Sequence, residues 1–381
     1  MIARCAGVQD VIAAVRFARE RDLVVAVRGG GHGVGGQAVC DRGMVIDLSP
    51  MRSVRVDPVA QTASAGGGAL NGDLDHATQA FGLATTAGIV SHTGVAGLTL
   101  GGGIGWLMRR YGATVDNLRA VDVVTADGEL VRASEAENED LFWALRGGGG
   151  HFGIVTSFEY QLHRVGPTVL AGPVYYPIEE AATVLRRYRD AATDAPDELT
   201  TILNLRLAPA LDFLPRSLHG RPVVAVIACC SGPLAQAERI VRPLRELGTV
   251  LFDGLAPKQY VDLQRMFDPG VPHGWNYYWK TRELPPLSDA AIDVLAEHCA
   301  SPPTPQSYVI IFQLGGALSK VGENDTAYSQ RDAAHNLNIN AVWLPGERDE
   351  NAVRWARELS AQLEPFAQDR AYINFLDGDV A

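Results

Sequence analysis

Residues 25–36 read Val-Ala-Val-Arg-Gly-Gly-Gly-His-Gly-Val-Gly-Gly, a short apolar strand that runs directly into a cluster of glycines. Two further glycine clusters follow, over residues 88–105 and 147–153. Glycine concentrates where the backbone needs unusual torsion angles or where a ligand approaches it closely. One cluster alone would favour a tight turn, but three clusters within one part of the chain favour a binding cleft.

The first cluster contains a formal GxGxxG match at Gly31, Gly33 and Gly36, the spacing of a dinucleotide-binding fingerprint. That fingerprint requires a helix that begins at the glycines, whereas the residues after Gly36 predict a turn before another strand. The Gly-Lys-Ser/Thr ending of a P-loop is also absent from the sequence. The remaining mode is one in which several loops offer backbone N–H groups to an anion. We expect Gly29–Gly33 and Gly101–Gly105 to surround a pyrophosphate together.

The composition limits the possible partners. The 381 residues carry a formal net charge of −11, which argues against nucleic acid and against an anionic membrane surface. The five cysteines are odd in number and lack CxxC spacing, so neither a disulfide framework nor a metal site is predicted. The sequence shows no signal region and no apolar run of bilayer length, which predicts a cytoplasmic protein, with a leader ahead of Met1 left open.

Hydrophobic periodicity predicts an α+β protein in two parts with a boundary near residue 166. The first part is predicted to contain helices at 8–20, 71–81 and 138–145 and strands at 23–27, 44–48, 62–65, 118–125, 129–132 and 153–162. In the second part helices cover one face of a sheet. Its helices are predicted at 178–194, 233–247, 288–299 and 348–363, and its strands near 200–206, 222–229, 307–313 and 339–344. Ser134 and Glu137 predict a capping box ahead of the third helix.

Long ordered motifs then make a family recognisable. They are Val-Arg-Gly-Gly-Gly-His32, Val45-Ile-Asp-Leu-Ser, Thr93–Gly105, Tyr111-Gly, Asp116-Asn117, Asp140–Gly150 and Phe152-Gly-Ile-Val-Thr156. Together they resemble FAD-linked oxidases of the p-cresol methylhydroxylase (vanillyl-alcohol oxidase) type. The nearest branch is the berberine-bridge-enzyme-like group with its bacterial hydroxynicotine and oligosaccharide oxidase relatives.

The resemblance implies a domain organisation. Residues 1–165 correspond to a two-part FAD-binding domain, residues 166–370 to an α+β substrate domain with an antiparallel sheet, and residues 371–381 to the start of a C-terminal return segment. Relatives usually begin earlier and continue further. We therefore expect the sequence to be a fragment or a shortened reading frame.

The same resemblance implies that FAD is attached covalently through its C8α carbon to His32. The alternative is that His32 only hydrogen-bonds the phosphate loop. Val90 stands where some relatives carry a second, cysteine tether, so a single bond is expected. Thr93 occupies the position of an oxygen gate beside the flavin. The other cofactor-binding residues implied are Arg28, Gly29, Gly30, Gly31, Gly33, Gly94, Gly97, Gly101, Gly102, Gly103, Ile154 and Val155; for Ile154 and Val155 a plain core strand is the compatible alternative.

Many relatives place a basic tyrosine in a Tyr-x-Asn-Tyr motif, where this chain reads Tyr372-Ile-Asn374-Phe375. The usual phenol is therefore replaced by an apolar ring. Tyr372 and Asn374 remain candidate polar residues of the site, and Lys280 and His92 are further candidates that would face the flavin. Each is more often structural than catalytic, and the sequence does not identify the catalytic base.

The sequence thus predicts an FAD-dependent oxidase that acts on a C–OH, C–N or C–H centre of a small molecule, with dioxygen as acceptor and hydrogen peroxide as product. Two alternatives stay open: a dehydrogenase with another electron acceptor, and a truncated flavin-binding remnant without turnover. The substrate and the oligomeric state are not predicted.

Overall fold

In a computed structural model, which describes residues 1–346 and 349–378, the chain divides into two compact units. The first unit contains Met1–Pro167 together with two short segments from later in the chain, Tyr260–Met266 and Lys320–Arg331. The second unit contains Thr168–Gln259, Phe267–Ser319 and the chain from Asp332 onward. Both short segments fall in the range that the sequence assigns to the substrate domain.

The helices and strands of the first unit are β1 (Ile2–Arg4), α1 (Val8–Glu20), β2 (Val25–Arg28), β3 (Met44–Asp47), β4 (Val54–Asp57), β5 (Thr62–Gly66), α2 (Asn71–Gln79), β6 (Leu83–Ala84), α3 (Val95–Leu100), α4 (Met108–Tyr111), β7 (Leu118–Val124), β8 (Leu130–Ser134), α5 (Glu139–Leu145), β9 (Ile154–Gln161), β10 (His163–Arg164) and, from the later segment, α8 (Tyr260–Gln264).

Two sheets organise this unit. A parallel sheet has the order β1-β3-β2, and α1 packs on it through apolar residues at helical spacing, which include Val11 and Val15, against Met44 and Ile46. An antiparallel sheet has the order β4-β5-β9-β7-β8. Its core contains side chains of α2, α3 and α5, so these three helices share one hydrophobic core with the sheet. The strands predicted at 118–125 and 129–132 are present as β7 and β8, and they pair as an antiparallel hairpin.

The elements of the second unit are β11 (Thr168–Pro177), α6 (Ala181–Thr193), β12 (Leu199–Leu207), β13 (Pro222–Cys230), α7 (Leu234–Val241), β14 (Phe252–Asp253), β15 (Ala256–Gln259), β16 (Asn276–Leu284), α9 (Asp289–His298), β17 (Tyr308–Gln313), β18 (His335–Trp343) and α10 (Glu350–Leu363). The antiparallel sheet has the order β14-β11-β13-β12-β17-β18-β16, and β15 also pairs with β11. Helices α6, α7, α9 and α10 contribute to one core on one face of this sheet, as the α+β prediction requires.

Two sequence predictions are wrong in detail. Ser134 and Glu137 do not form a capping box: their backbones pair with each other, and Asn138, in a left-handed conformation, precedes α5. The helix predicted over 233–247 ends at Val241 and continues as a 3₁₀ turn, because Pro243 cannot donate a backbone hydrogen bond. In addition, the glycine-rich stretch 88–105 contains α3, a helix that the periodicity does not predict.

Within residues 1–346 and 349–378, every helix is too short or too polar to cross a lipid bilayer.

Candidate functional site

The first glycine run leaves the parallel sheet at the end of β2. Arg28, the last residue of β2, lies 3.5 Å from the buried carboxylate of Asp47, the last residue of β3. Asp47 also accepts a hydrogen bond from the backbone N–H of Ser49 at 3.0 Å. The residues after Gly36 form turns and no helix, which confirms that the GxGxxG match does not open a dinucleotide-binding helix.

The first and second glycine runs touch through their backbones. A Cβ atom at Gly30 would overlap the backbone of Gly94, and a Cβ atom at Gly94 would overlap the backbone of Gly30. The same loop is held by an isolated β-bridge between Leu70 and Gly94. Glycine is required at both positions because two main chains meet here with no room for a side chain.

Gly97 is different, because it lies exposed on α3 and an added Cβ atom would meet no protein atom within 4 Å. Glycine within a helix costs about 1 kcal/mol relative to alanine, so packing within the chain does not explain it. Gly33 and Gly36 are exposed as well, and a Cβ atom at Gly36 would also enter open space. An open, glycine-lined wall beside His32 fits a large cofactor such as FAD, whose atoms can approach the main chain there.

At residues 101–105, close packing within the protein explains why glycine is needed. A Cβ atom at Gly102 would overlap the ring of Tyr328, and one at Gly103 would overlap the side chain of Thr114. All five residues from Gly101 to Gly105 are buried. Close packing therefore accounts for these glycines without a ligand, and their contact with a pyrophosphate stays a prediction.

Tyr328 belongs to the later segment 320–331 of the first unit, and no sequence pattern indicates that it packs against the glycine runs. Its backbone N–H donates to the carbonyl of Arg146 at 3.0 Å, next to the third glycine run. Arg331 anchors the segment through two hydrogen bonds of 2.7 Å to the carboxylate of Asp116, and both side chains are buried. This segment completes the wall formed by the second and third glycine runs.

His32, the predicted tether, is half-buried, and its ring centroid lies 5.1 Å from that of His92. His92 also borders a cavity of about 460 Å³ whose other lining residues include Arg52, Asp73, His76 and Arg265. The imidazole of His32 thus lies within the first glycine run and next to His92, a residue that lines this cavity.

Thr93 is partly exposed, two positions before α3, and its carbonyl accepts from the backbone N–H of Asn71 at 2.9 Å. Val90 is buried. Ile154 and Val155 begin β9, and their side chains lie in the hydrophobic cores of the first unit, so the core-strand interpretation is correct for the side chains.

In the second unit, the Tyr-x-Asn-Phe segment forms a small polar and aromatic cluster. Tyr372 is 1% exposed, and its hydroxyl accepts a hydrogen bond of 2.9 Å from Asn374. The ring of Phe375 meets those of Tyr372 and Trp279 edge to face, with centroids 4.9 and 5.6 Å apart. The apolar ring that replaces the family phenol is thus packed among aromatic neighbours.

Lys280 lies 3.3 Å from the buried carboxylate of Asp377. Burial alone would lower the pKa of Lys280, but the Tyr278 hydroxyl and the Asp377 charge more than offset it and raise that pKa above its usual value. A charged, ion-paired ammonium is a poor proton acceptor at neutral pH. This environment favours a structural role for Lys280 over that of a catalytic base.

The face of the second unit's sheet that points away from its helices carries polar residues in aligned rows. One row crosses four strands through Arg206, Tyr308, Asn340 and Trp279. The next row contains Asn204, Ile310, Asn338 and Thr281, and the third contains Ile202, Phe312, Asn336 and Glu283. This face is hereafter called the polar grid. The alternation of asparagine with apolar residues over 336–340 was a visible signal in the sequence.

Several grid side chains are buried with unused hydrogen-bonding capacity. Among the described residues, no group pairs with Oδ1 of Asn204, Asn336 or Asn340, with Nδ2 of Asn338, or with Oε2 of Glu283. Burial raises the pKa of Glu283 to about 8, although the hydrogen bond from Asn336, 2.7 Å long, opposes that rise. Each unpaired buried polar group costs about 1–3 kcal/mol, so their concentration on one face points to a ligand or to ordered water.

The family model described as "FAD binding domain" matches residues 1–134. A curated FAD-linked oxidoreductase of Dictyostelium discoideum is 32% identical over 378 residues, which cover 98% of this chain and 79% of that protein.

Solved structures show the same architecture. The chain is similar to crystalline 6-hydroxy-D-nicotine oxidase from Arthrobacter nicotinovorans, with a TM-score of 0.86 and 29% identity, over 100% of this chain and 83% of the oxidase. It also has the fold of a berberine-bridge-enzyme-like protein of Arabidopsis thaliana, with a TM-score of 0.87, 24% identity and coverage of 100% and 81%.

Proposed function

The chain belongs to the FAD-linked oxidoreductases of the p-cresol methylhydroxylase type, in their berberine-bridge-enzyme-like and hydroxynicotine oxidase-like branch, and from this membership we propose a specific activity. The protein is an oxidase that carries FAD covalently on His32 and oxidises a small molecule at a C–OH, C–N or C–H centre. When bound, FAD would supply a hydride acceptor for that carbon, and dioxygen would take up the two electrons together with two protons to give hydrogen peroxide.

The single observation that carries this proposal is the open wall around His32. Gly31, Gly33 and Gly97 are exposed, so a large cofactor can approach the main chain there, and His32 is half-buried within the first glycine run. A neutral imidazole nitrogen is a nucleophile near physiological pH, so it can form a bond to the flavin. His92, in ring contact with His32 at 5.1 Å, is placed to orient that imidazole.

The attachment is tested by denaturation. We expect acid or heat to leave yellow flavin on the wild-type protein, and a peptide containing His32 to carry the mass of FAD. His32→Ala should release free FAD, whereas His76→Ala, a change of another histidine in the first unit, should retain it. Complete loss of flavin from the wild type contradicts the tether, and covalent flavin in His32→Ala places it on another residue.

The use of dioxygen is tested through Thr93. A small side chain leaves room for dioxygen, so Thr93→Leu should slow reoxidation of the reduced flavin by air and leave its anaerobic reduction unchanged. Stopped-flow absorbance measures the two half-reactions separately, with Thr93→Ser as the matched control. Slow reoxidation of the wild type itself would favour the dehydrogenase alternative, and yellow protein that no substrate bleaches would favour the remnant without turnover.

A further inference from the structure

Arg206, at the end of β12, is a cation without a counter-charge in its surroundings. Its Nε donates to the backbone carbonyl of Leu207 at 3.1 Å, and its guanidinium lies over the Tyr308 ring, 5.1 Å from the centroid. No carboxylate among residues 1–346 and 349–378 forms an ion pair with it. The side chain is partly exposed, so a solute can reach it.

The neighbours of Arg206 do not supply negative charge at neutral pH. Burial raises the pKa of Tyr308 to about 12 and also raises the pKa of Tyr175, so both phenols stay protonated. Burial lowers the pKa of Arg206 itself, because partial desolvation disfavours the charged guanidinium. Arginine nevertheless remains charged in proteins, and a poorly solvated charge is stabilised by a partner of opposite sign.

The residues beside Arg206 on the polar grid indicate which hydrogen-bonding groups a ligand of Arg206 needs in addition to a negative charge. Asn340 lies two strands away in the same row, and Asn204 lies two residues earlier on the same strand. Both present an unpaired buried Oδ1 atom, as judged over the described residues, and these atoms can accept hydrogen bonds only. Trp279, at the end of the row, offers the buried Nε1–H as a donor.

We infer that Arg206 binds the carboxylate of the substrate and that the substrate is a hydroxycarboxylic acid. The planar guanidinium matches a carboxylate through two parallel hydrogen bonds. The Oδ1 atoms of Asn204 and Asn340 accept hydrogen bonds from the hydroxyl groups of the same molecule. This inference rests on the proposed function, because it names the class of molecule that the oxidase turns over. The polar grid would therefore select acids over their neutral analogues.

Binding to the purified flavoprotein tests this directly, by calorimetry and without turnover. The probes are four acids (lactate, mandelate, gluconate and glucuronate) and the four matching carboxamides. We expect at least one acid to bind the wild type more tightly than its amide. Because charge-assisted hydrogen bonds are lost, Arg206→Gln should weaken the binding of that acid about 10- to 100-fold and leave the binding of the amide unchanged. Arg206→Lys should restore part of the affinity.

Arg282→Gln is the matched control, since Arg282 lies on the helix-facing side of the same sheet and bonds to the Ser360 carbonyl at 3.4 Å. It should leave acid binding unchanged. Acid and amide binding that fall together in Arg206→Gln, equal binding of both by the wild type, or no binding of any acid in the millimolar range would each overturn the inference.

A second measurement guards against misfolded variants. Because an uncompensated charge destabilises the ligand-free protein, Arg206→Met should raise the melting temperature while it removes acid binding. A lowered melting temperature with lost binding would show that Arg206 is structural and would overturn the inference. Binding by calorimetry does not depend on flavin reduction, so acid binding without bleaching contradicts the oxidase, whereas bleaching without acid selectivity contradicts only the role of Arg206.

Discussion

Glu283 shows how a single residue of the polar grid responds to its surroundings. The side chain is 1% exposed, and Asn336 donates to one of its oxygens at 2.7 Å. Burial is the largest cause that raises its pKa to about 8; the charge of Arg370 lowers it and that of Asp332 raises it. At neutral pH the native protein therefore holds a mostly protonated carboxylic acid.

Stability should consequently depend on pH. Between pH 4.5, the ordinary pKa of a glutamate, and about pH 8, the raised pKa of Glu283, the native state binds a proton that the unfolded state releases. The free energy of unfolding therefore falls as pH rises through this window, by an amount on the order of 5 kcal/mol. Glu283→Gln, which resembles the protonated acid, should remove that slope. Urea unfolding from pH 5 to pH 8.5 measures it, and an equal slope in wild type and variant would contradict the prediction.

Some residues of the polar grid could be predicted from the sequence, and others could not. The asparagines at 336, 338 and 340 alternate with apolar residues and could have been assigned to one face of a strand. Arg206 could not have been singled out, because its lack of a carboxylate partner is a property of strand register. Sequence spacing does not show which acidic residues lie close to Arg206 in the folded protein.

At the scale of elements, periodicity located most helices and strands, and the failures have local causes. Strand β11 was not predicted because Gly172 and Pro173 interrupt its apolar pattern, yet both pair with β13 in the sheet. Strand β16 was not predicted because Lys280 and Arg282 occupy helix-facing positions where apolar residues would be typical. Long side chains tolerate such positions, since their methylene stems pack while the charged ends reach a partner.

Helix α3 provides a test of the glycine wall as an element. Gly97→Ala places a methyl group in open space on a helix, which should stabilise that helix by up to about 1 kcal/mol. If FAD occupies the space, flavin content should fall while the flavin-free protein becomes more stable. Absorbance at the flavin band and thermal melting measure the two effects.

Gly7→Ala is the control for that variant, because Gly7 also has no atom within 4 Å of an added Cβ and lies at the start of α1. Its flavin content should match the wild type. Full flavin content in Gly97→Ala would show that the open space at α3 is not part of the cofactor site.

At the scale of the whole molecule, the first unit is not a continuous stretch of chain. Segments 260–266 and 320–331 return to it from the second half, and nothing local in their sequences announces this. Gln264 donates to the carboxylate of Asp75 at 3.0 Å, and Trp143 Nε1 donates to the carbonyl of Asn324 at 2.8 Å. Such long-range pairings are set by the packed structure, so a boundary near residue 166 is as far as the sequence could go.

A protein cut after Pro167 should therefore lack a stable first unit. Without segment 320–331, Asp116 keeps a buried carboxylate but loses Arg331, and removal of one partner of a buried ion pair costs about 3–5 kcal/mol. Gly102 loses the ring of Tyr328 and Gly147 loses the backbone of Tyr328, and the absence of that ring leaves a cavity of comparable cost, about 3–5 kcal/mol. These losses approach the whole stability of a typical domain, about 5–15 kcal/mol.

We expect the fragment 1–167 to unfold without a cooperative transition, as followed by near-ultraviolet circular dichroism during heating. A synthetic peptide of residues 320–331 added in trans should restore part of the transition, because it returns both the Arg331 cation and the Tyr328 ring. A peptide that carries Arg331→Met and Tyr328→Ala should not. A fragment that melts cooperatively by itself, at the same temperature with and without the peptide, would show that residues 1–167 form a complete folding unit and that segment 320–331 only rests on its surface.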